Sequence, residues 1–225
     1  MARELRIGAA LFNGDHARLG AEVERVEAAG LDFVHLDVFD GRLVRGIAFS
    51  PRTVAALRPL SALPFEVHLA AEHPGEWLPD LAAAGVDLVL VQVEGAAMLY
   101  ETLFSVREAG MRPGIAVGLA TALDTVEAAL PFVDAVLLLS RVTGEGTRGA
   151  SFDGRVLPRL AAVRMLVDAG DARVDLQVAG GVTRSVLGDL VDAGVDGVAL
   201  GASLYRAADM GAEVEALRAA AGARA

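Results

Sequence analysis

The sequence predicts a single-domain (β/α)8 barrel over residues 1–225, and three observations carry that expectation. Short apolar runs alternate with helical patterns eight times in 225 residues, the number of units a closed parallel barrel needs. The phrases Ala-Ala-Gly-Leu-Asp, Ala-Ala-Gly-Val-Asp and Asp-Ala-Gly-Val-Asp stand at 28–32, 83–87 and 192–196. Each reads as a helix end with Gly at its cap, leading straight into a strand. No linker divides the chain, and only the Ala-rich C-terminal tail is compositionally biased. The phrases lack a fixed period, which argues against a solenoid. An open doubly wound sheet is the alternative, and even spacing of the units favours closure.

In chain order, residues 5–11 are apolar and strand-like, and 15–29 carry helical spacing that stops at Gly30. A strand over 32–38 follows. Ser50 and Pro51 open a short helix to residue 57, with Ser as N-cap and Pro at the first helical position. Strand 65–70 leads to a helix over 74–84, and strand 86–93 to a helix ending at 109–110. Strand 113–117 precedes a helix over 121–130, and strand 133–139 a glycine-rich loop over 143–149. A helix over 154–168, strand 174–178, a helix over 183–193, strand 195–200 and a last helix from 202 complete the pattern.

Composition narrows the function. The hydrophobic fraction of 54% supplies a large core, and the net charge of −10 argues against nucleic acid or an anionic membrane as partner. No apolar run approaches the ~20 residues of a membrane span, and the start has no apolar signal region, so a cytoplasmic protein is expected. The chain contains no cysteine, which removes thiolate ligands and cysteine nucleophiles. Its basic residues are all arginine; without lysine, no side-chain Schiff base can form.

The chemistry concentrates on the second strand, Asp-Phe-Val-His-Leu-Asp-Val-Phe-Asp-Gly at 32–41. Alternation puts Phe33, His35 and Asp37 on one face and Val34, Leu36 and Val38 on the other. Charge inside a buried strand is expensive unless it is used. In a barrel the strand C-termini build the active site. Glu66 and His68 stand at strand three, Gln92 and Glu94 at strand four, Ser140 at strand six, Gly180 and Gly181 after strand seven, and Gly201 with Ala202 after strand eight. His35, Asp37 and His68 form a reasonable shell for Zn²⁺ or another divalent transition metal; the plainer reading is two buried histidines oriented by Asp37. The late glycines suit phosphate binding through bare backbone N–H groups, with Gly144 and Gly146 as further candidates. Gln92 and Ser140 are candidate substrate contacts. His16 and His73 read as surface residues.

The order His35-Leu-Asp-Val-Phe-Asp40-Gly41, Phe49-Ser-Pro51, Glu66-Val-His68-Leu and the late glycine pairs resembles the ribulose-phosphate 3-epimerase family, collinearly from about residue 7 to 205. The resemblance implies metal-dependent proton transfer on a ketopentose 5-phosphate. One aspartate removes the proton beside the carbonyl, a second returns it on the opposite face, and a divalent metal (Zn, Fe, Mn or Co) stabilises the enediolate. It implies metal ligands at His35, Asp37 and His68, with Asp37 catalytic, and a homo-oligomer. The family's second aspartate precedes Gly-Gly on strand seven; this chain has Ala179 there. The family's strand-one serines are Gly8, Ala10 and Asn13, its strand-four His is Gln92, and its strand-five Asn-Pro is Gly118-Leu119. Asp175 and Gln177 share the parity of Ala179 but lie deeper. Glu94, Glu145 or Asp153 could replace the acid from a loop. The expectation is therefore an epimerase-like metalloenzyme with altered chemistry. A lyase or decarboxylase of the same architecture and a non-catalytic ligand-binding relative are the alternatives.

Overall fold

A computed structural model describes residues 4–141, 152–170 and 173–222. Eight parallel strands close into a barrel in sequence order, β8 pairing with β1. They are β1 (Arg6–Ala10), β2 (Phe33–Phe39), β3 (Phe65–Ala70), β4 (Leu88–Gln92), β5 (Arg112–Val117), β6 (Ala135–Leu139), β7 (Asp175–Ala179) and β8 (Gly197–Leu200). Around them lie α1 (Leu19–Ala28), α2 (Pro51–Leu57), α3 (Leu78–Ala83), α4 (Leu99–Glu108), α5 (Leu123–Ala129), α6 (Val156–Ala169), α7 (Arg184–Asp192), the single turn α8 (Ala202–Tyr205) and α9 (Met210–Gly222). The predicted alternation holds throughout. No helix among the described residues is long and apolar enough to cross a membrane.

Strand parity divides the core in two. Val34, Leu36 and Val38 join Ile7, Val67, Val89, Ile115, Val136, Val178 and Val198 in the shell between barrel and helices. Phe33 shares the interior with Leu88, Leu90, Ala116, Leu137, Leu139, Ala179 and Ala199. The interior narrows at its base, where a Cβ on Gly8 would overlap the ring of Phe33. Glycine at position 8 is what lets that ring cross the barrel.

The recurring Gly-x-Asp phrases have one structural job. The positive φ of Gly30, Gly85 and Gly194 (76°, 76° and 89°) turns the chain out of each helix, a conformation glycine adopts without strain. The aspartate two residues on then accepts a backbone N–H of the preceding strand. Asp32 takes Ile7 N–H at 2.7 Å, Asp87 takes Phe65 N–H at 2.8 Å, and Asp196 takes Leu176 N–H at 2.8 Å. Each also meets an arginine, respectively Arg218, Arg58 and Arg164. The three clamps fasten strands at the N-terminal face, away from the predicted site.

Three expected helices differ. The one expected over 15–29 starts only at Leu19. The helix over 74–84 opens as a 3-10 turn, Pro74–Trp77, before α3. Two prolines, Pro74 and Pro79, stand at the starts of these two pieces, and each lacks a backbone donor. The last helix is broken after Tyr205. Asp209 then caps a new start, its carboxylate accepting Ala212 N–H at 3.1 Å. The Ser50 cap is as expected, its hydroxyl oxygen accepting Thr53 N–H at 3.3 Å.

Candidate metal centre

Strands β2 and β3 bring the predicted ligands together. The register sets Asp37 beside His68 and His35 beside Glu66, so the four side chains form two inward layers. Both histidines are 2% exposed. Nδ1 of His68 lies 3.2 Å from Oδ1 of Asp37, and Nε2 of His35 lies 3.7 Å from the same oxygen. One donor atom from each residue falls within 4.8 Å of the others, the one such trio among the described residues.

The donors fit a divalent metal. Bonds of ~2.0–2.1 Å in a tetrahedral shell place neighbouring donors about 3.4 Å apart, and the two measured edges bracket that spacing. Two imidazoles and a carboxylate are compatible with Zn, Fe, Mn or Co.

The electrostatics are those of a site arranged for a cation. Burial alone would strip His35 of its proton. Hydrogen bonding and charge from Asp37 and Glu66 outweigh it and push the imidazole up to about 10. Burial likewise opposes ionisation of Asp37, yet the two histidines hold its carboxyl well below the usual range.

A second set of contacts surrounds the trio. Glu66 accepts from His35 Nδ1 at 3.0 Å and from Gln177 Nε2 at 2.8 Å. His68 Nε2 lies 2.6 Å from Gln92 Oε1, and the Gln92 amide nitrogen donates to Glu94. Glu94 also accepts Gly118 N–H at 3.0 Å and the Thr121 hydroxyl. The partnership of Glu66 with Gln177, 111 residues apart, has no counterpart in the sequence reading. Its sequence signal is only a polar residue at inward parity in each strand, Glu66 in β3 and Gln177 in β7.

The opposite wall is apolar. Ala179 ends β7, paired with Leu139 and Ala199. One layer beneath it, Gln177 is buried. Asp175 lies at the N-terminal end of the strand, held by Arg6 at 2.9 Å and Arg112 at 3.4 Å. Among the candidate replacement acids, Glu94 is kept ionised: burial would raise its carboxyl, but Thr121, Gln92 and Gly118 together pull it down. Asp153 is paired with Arg155, whose hydrogen bonds bring it down to about 2. Glu145, Gly144 and Gly146 lie outside the described residues.

After β7, Gly180 and Gly181 both have positive φ (101° and 69°). The Ser140 hydroxyl, named as a candidate substrate contact, donates to the Ala179 carbonyl at 3.2 Å and to the Gly180 carbonyl, clamping this turn. Gly201 precedes α8 with the Asn13 side chain against the place a Cβ would take. The Ser203 hydroxyl donates to the Val182 carbonyl at 2.9 Å, tying the α8 turn to the β7–α7 loop. His16 is exposed, its ring stacked on Phe49 with centroids 5.5 Å apart.

Comparison with known proteins agrees with this geometry. Among solved structures, the tryptophan synthase α-subunit of Pyrococcus furiosus superposes with a TM-score of 0.68 at 18% identity, covering 96% of this chain and 99% of that one. Orotidine 5'-phosphate decarboxylase of Pyrococcus horikoshii gives 0.66 at 16%, covering 96% and 99%. At these identities the likeness speaks for the barrel alone. Closer relatives share sequence as well. The ribulose-phosphate 3-epimerase of Synechocystis sp. is 33% identical over 97% of this chain and 95% of its own. That of Bacillus subtilis is 31% identical over 95% and 98%. The family model described as "Ribulose-phosphate 3 epimerase family" matches residues 6–205, a span that contains β2, β3 and every residue of the trio. On sequence, on barrel and on the His-Asp-His centre at its mouth, the chain belongs to the ribulose-phosphate 3-epimerase family of carbohydrate epimerases.

Proposed function

We propose that this chain is a divalent-metal enzyme that enolises a phosphorylated ketose from one face only. The supporting observation is the pairing of a His-Asp-His trio, its histidines buried, with an alanine, Ala179, at the end of the strand that closes the opposite wall. Inversion at carbon by two bases requires an acid on each face; Asp37 serves one, and Glu94 and Asp153 are committed elsewhere. Asp37 takes the proton beside the substrate carbonyl. His35, Asp37 and His68 would hold the divalent metal, which when bound would supply electrostatic stabilisation of the negative charge that develops on the substrate. The substrate phosphate is held by backbone N–H groups at Gly180, Gly181, Gly201 and Ala202. The buried layer of Leu90, Leu137 and Leu139 keeps water from beneath the reacting carbons.

One-face chemistry also accommodates decarboxylation or retro-aldol cleavage, which the apolar opposing wall would tolerate. The test is incubation of metal-loaded protein with ribulose 5-phosphate in D₂O, followed by NMR and mass spectrometry. Deuterium uptake with retained configuration at C3 is expected, and Ala179→Asp is expected to add inversion. Rapid inversion by the wild type would overturn the one-face reading, and a product of lower mass would favour cleavage.

A further inference from the structure

The hydrogen-bond chains around the trio determine which nitrogen of each histidine is bare. A carboxylate can only accept. Glu66 therefore requires the proton of His35 on Nδ1, where the separation is 3.0 Å, which leaves Nε2 to face Asp37. Glu66 is itself held by Gln177 Nε2 at 2.8 Å, from the far side of the barrel. The second chain runs differently. Glu94 accepts from the Gln92 amide nitrogen, so the other end of that amide, Oε1, must face His68. It lies 2.6 Å from Nε2, and being an acceptor it requires the proton there. The bare nitrogen of His68 is then Nδ1, 3.2 Å from Asp37. Glu94 is fixed in turn by Gly118 N–H and Thr121.

Once His35 gives up its Nε2 proton, three acceptor lone pairs converge on one another, an arrangement that repels itself unless a cation, that proton or a divalent metal, stands between them. We propose that Glu66 and Gln92 are positioning residues that lock the two histidines in opposite tautomers, His35 with a bare Nε2 and His68 with a bare Nδ1. Gln177 and Glu94 are the outer anchors of the two locks. This assigns Gln92 an internal duty in place of substrate contact. It also gives a reason for buried polar residues at 66, 92 and 177, two of them 2% and 4% exposed and the third fully buried, where apolar side chains would otherwise fill the barrel. Outer hydrogen-bond partners of this kind characteristically change metal affinity by about 10–100-fold when removed.

The inference rests on the metal reading, and the test separates the two. Zinc affinity is measured by competition with a chromogenic chelator for wild type, Glu66→Met and Gln92→Met. Glu66→Met keeps approximate volume and removes the acceptor that faces His35 Nδ1. Gln92→Met keeps volume and removes the acceptor. Each variant is expected to bind zinc about 10–100-fold more weakly with an unchanged circular dichroism spectrum. In the zinc-loaded wild type, ¹⁵N NMR of the imidazoles is expected to show a protonated Nδ1 on His35 and a protonated Nε2 on His68. Wild-type affinity in both variants, or the same tautomer on both rings, overturns the proposal while leaving the metal reading intact. If the wild type binds no zinc, the metal reading fails. The His68 tautomer in metal-free protein, expected as Nε2–H in wild type and lost as a single form in Gln92→Met, then still decides the lock.

Discussion

Asp37 and His68 are register partners on adjacent strands, and Oδ1 of the first lies 3.2 Å from Nδ1 of the second. The same oxygen is 3.7 Å from Nε2 of His35. Among the described residues, Asp37 is thus the one side chain paired with both imidazoles, and it is also the most open of the three, its side chain 17% exposed against 2% for each histidine. On the proposed reading, ligand and base are combined in this most open group of the three.

Asp37→Ala is expected to remove both functions. Stoichiometric metal should be lost, and turnover should fall by at least the ~10²–10⁴-fold that a positioned base contributes. Metal analysis of the purified variant beside a deuterium-exchange assay checks this. Retained turnover would show that another group carries the proton.

The barrel and the trio were legible in the sequence for the same reason. Strand alternation is strictly two-fold, so His35 and Asp37 had to share a face, and two such strands in succession had to present their polar residues side by side. What alternation cannot show is partnership across the barrel. Gln177 is 111 residues from Glu66 in the chain and meets it only because closure brings β7 opposite β3. The break between α8 and α9 was invisible for a different reason: helical spacing continues through residues 206–209, and the cap at Asp209 competes with it only locally. The role of the Gly-x-Asp phrases was half legible. Glycine announced the turn, but the strand N–H that each aspartate accepts is a tertiary contact.

Asp196 is the most buried of the three clamps, at 6% exposed, and accepts from both Leu176 N–H and Arg164, whose Nη1 is 2.9 Å away. Asp196→Ala leaves a largely buried guanidinium without this partner. Breaking a buried pair from one side costs about 3–5 kcal/mol, which denaturant titration of the metal-free variant should show. The same change at Asp87, whose side chain is 53% exposed beside Arg58, should cost clearly less. Equal losses would mean that the backbone bond, common to both, dominates.

Gly8→Ala tests the base of the barrel. The added methyl would overlap the Phe33 ring, and the ring is buried, at 1% exposed. Overpacking of this kind costs about 1–3 kcal/mol. Phe33→Leu leaves a cavity when made alone but makes room for the methyl, so the double variant should be more stable than the sum of the two single losses. Simple additivity would indicate that the ring moves aside freely.

The metal-free protein should have a pH optimum of stability set by His35 and Asp37. The folded state raises His35 from 6.5 to about 10. Its contribution is therefore complete below pH 6.5 and drains away as pH climbs toward 10. Asp37 is lowered from 3.8, so its contribution is complete above that pH and is lost in acid. Both act fully only between about pH 4 and 6.5, and urea midpoints should peak there and decline on either side. Metal changes the outcome at the alkaline end, because a bound divalent ion occupies the place of the His35 proton. Near neutral pH, binding zinc must then expel close to one proton, and zinc affinity should rise about tenfold per pH unit while His35 remains protonated in the free protein. Calorimetric titrations in buffers of different ionisation enthalpy count that proton directly. Binding without proton release would mean that His35 is already neutral, and that Glu66 and Asp37 do not hold a charge on it.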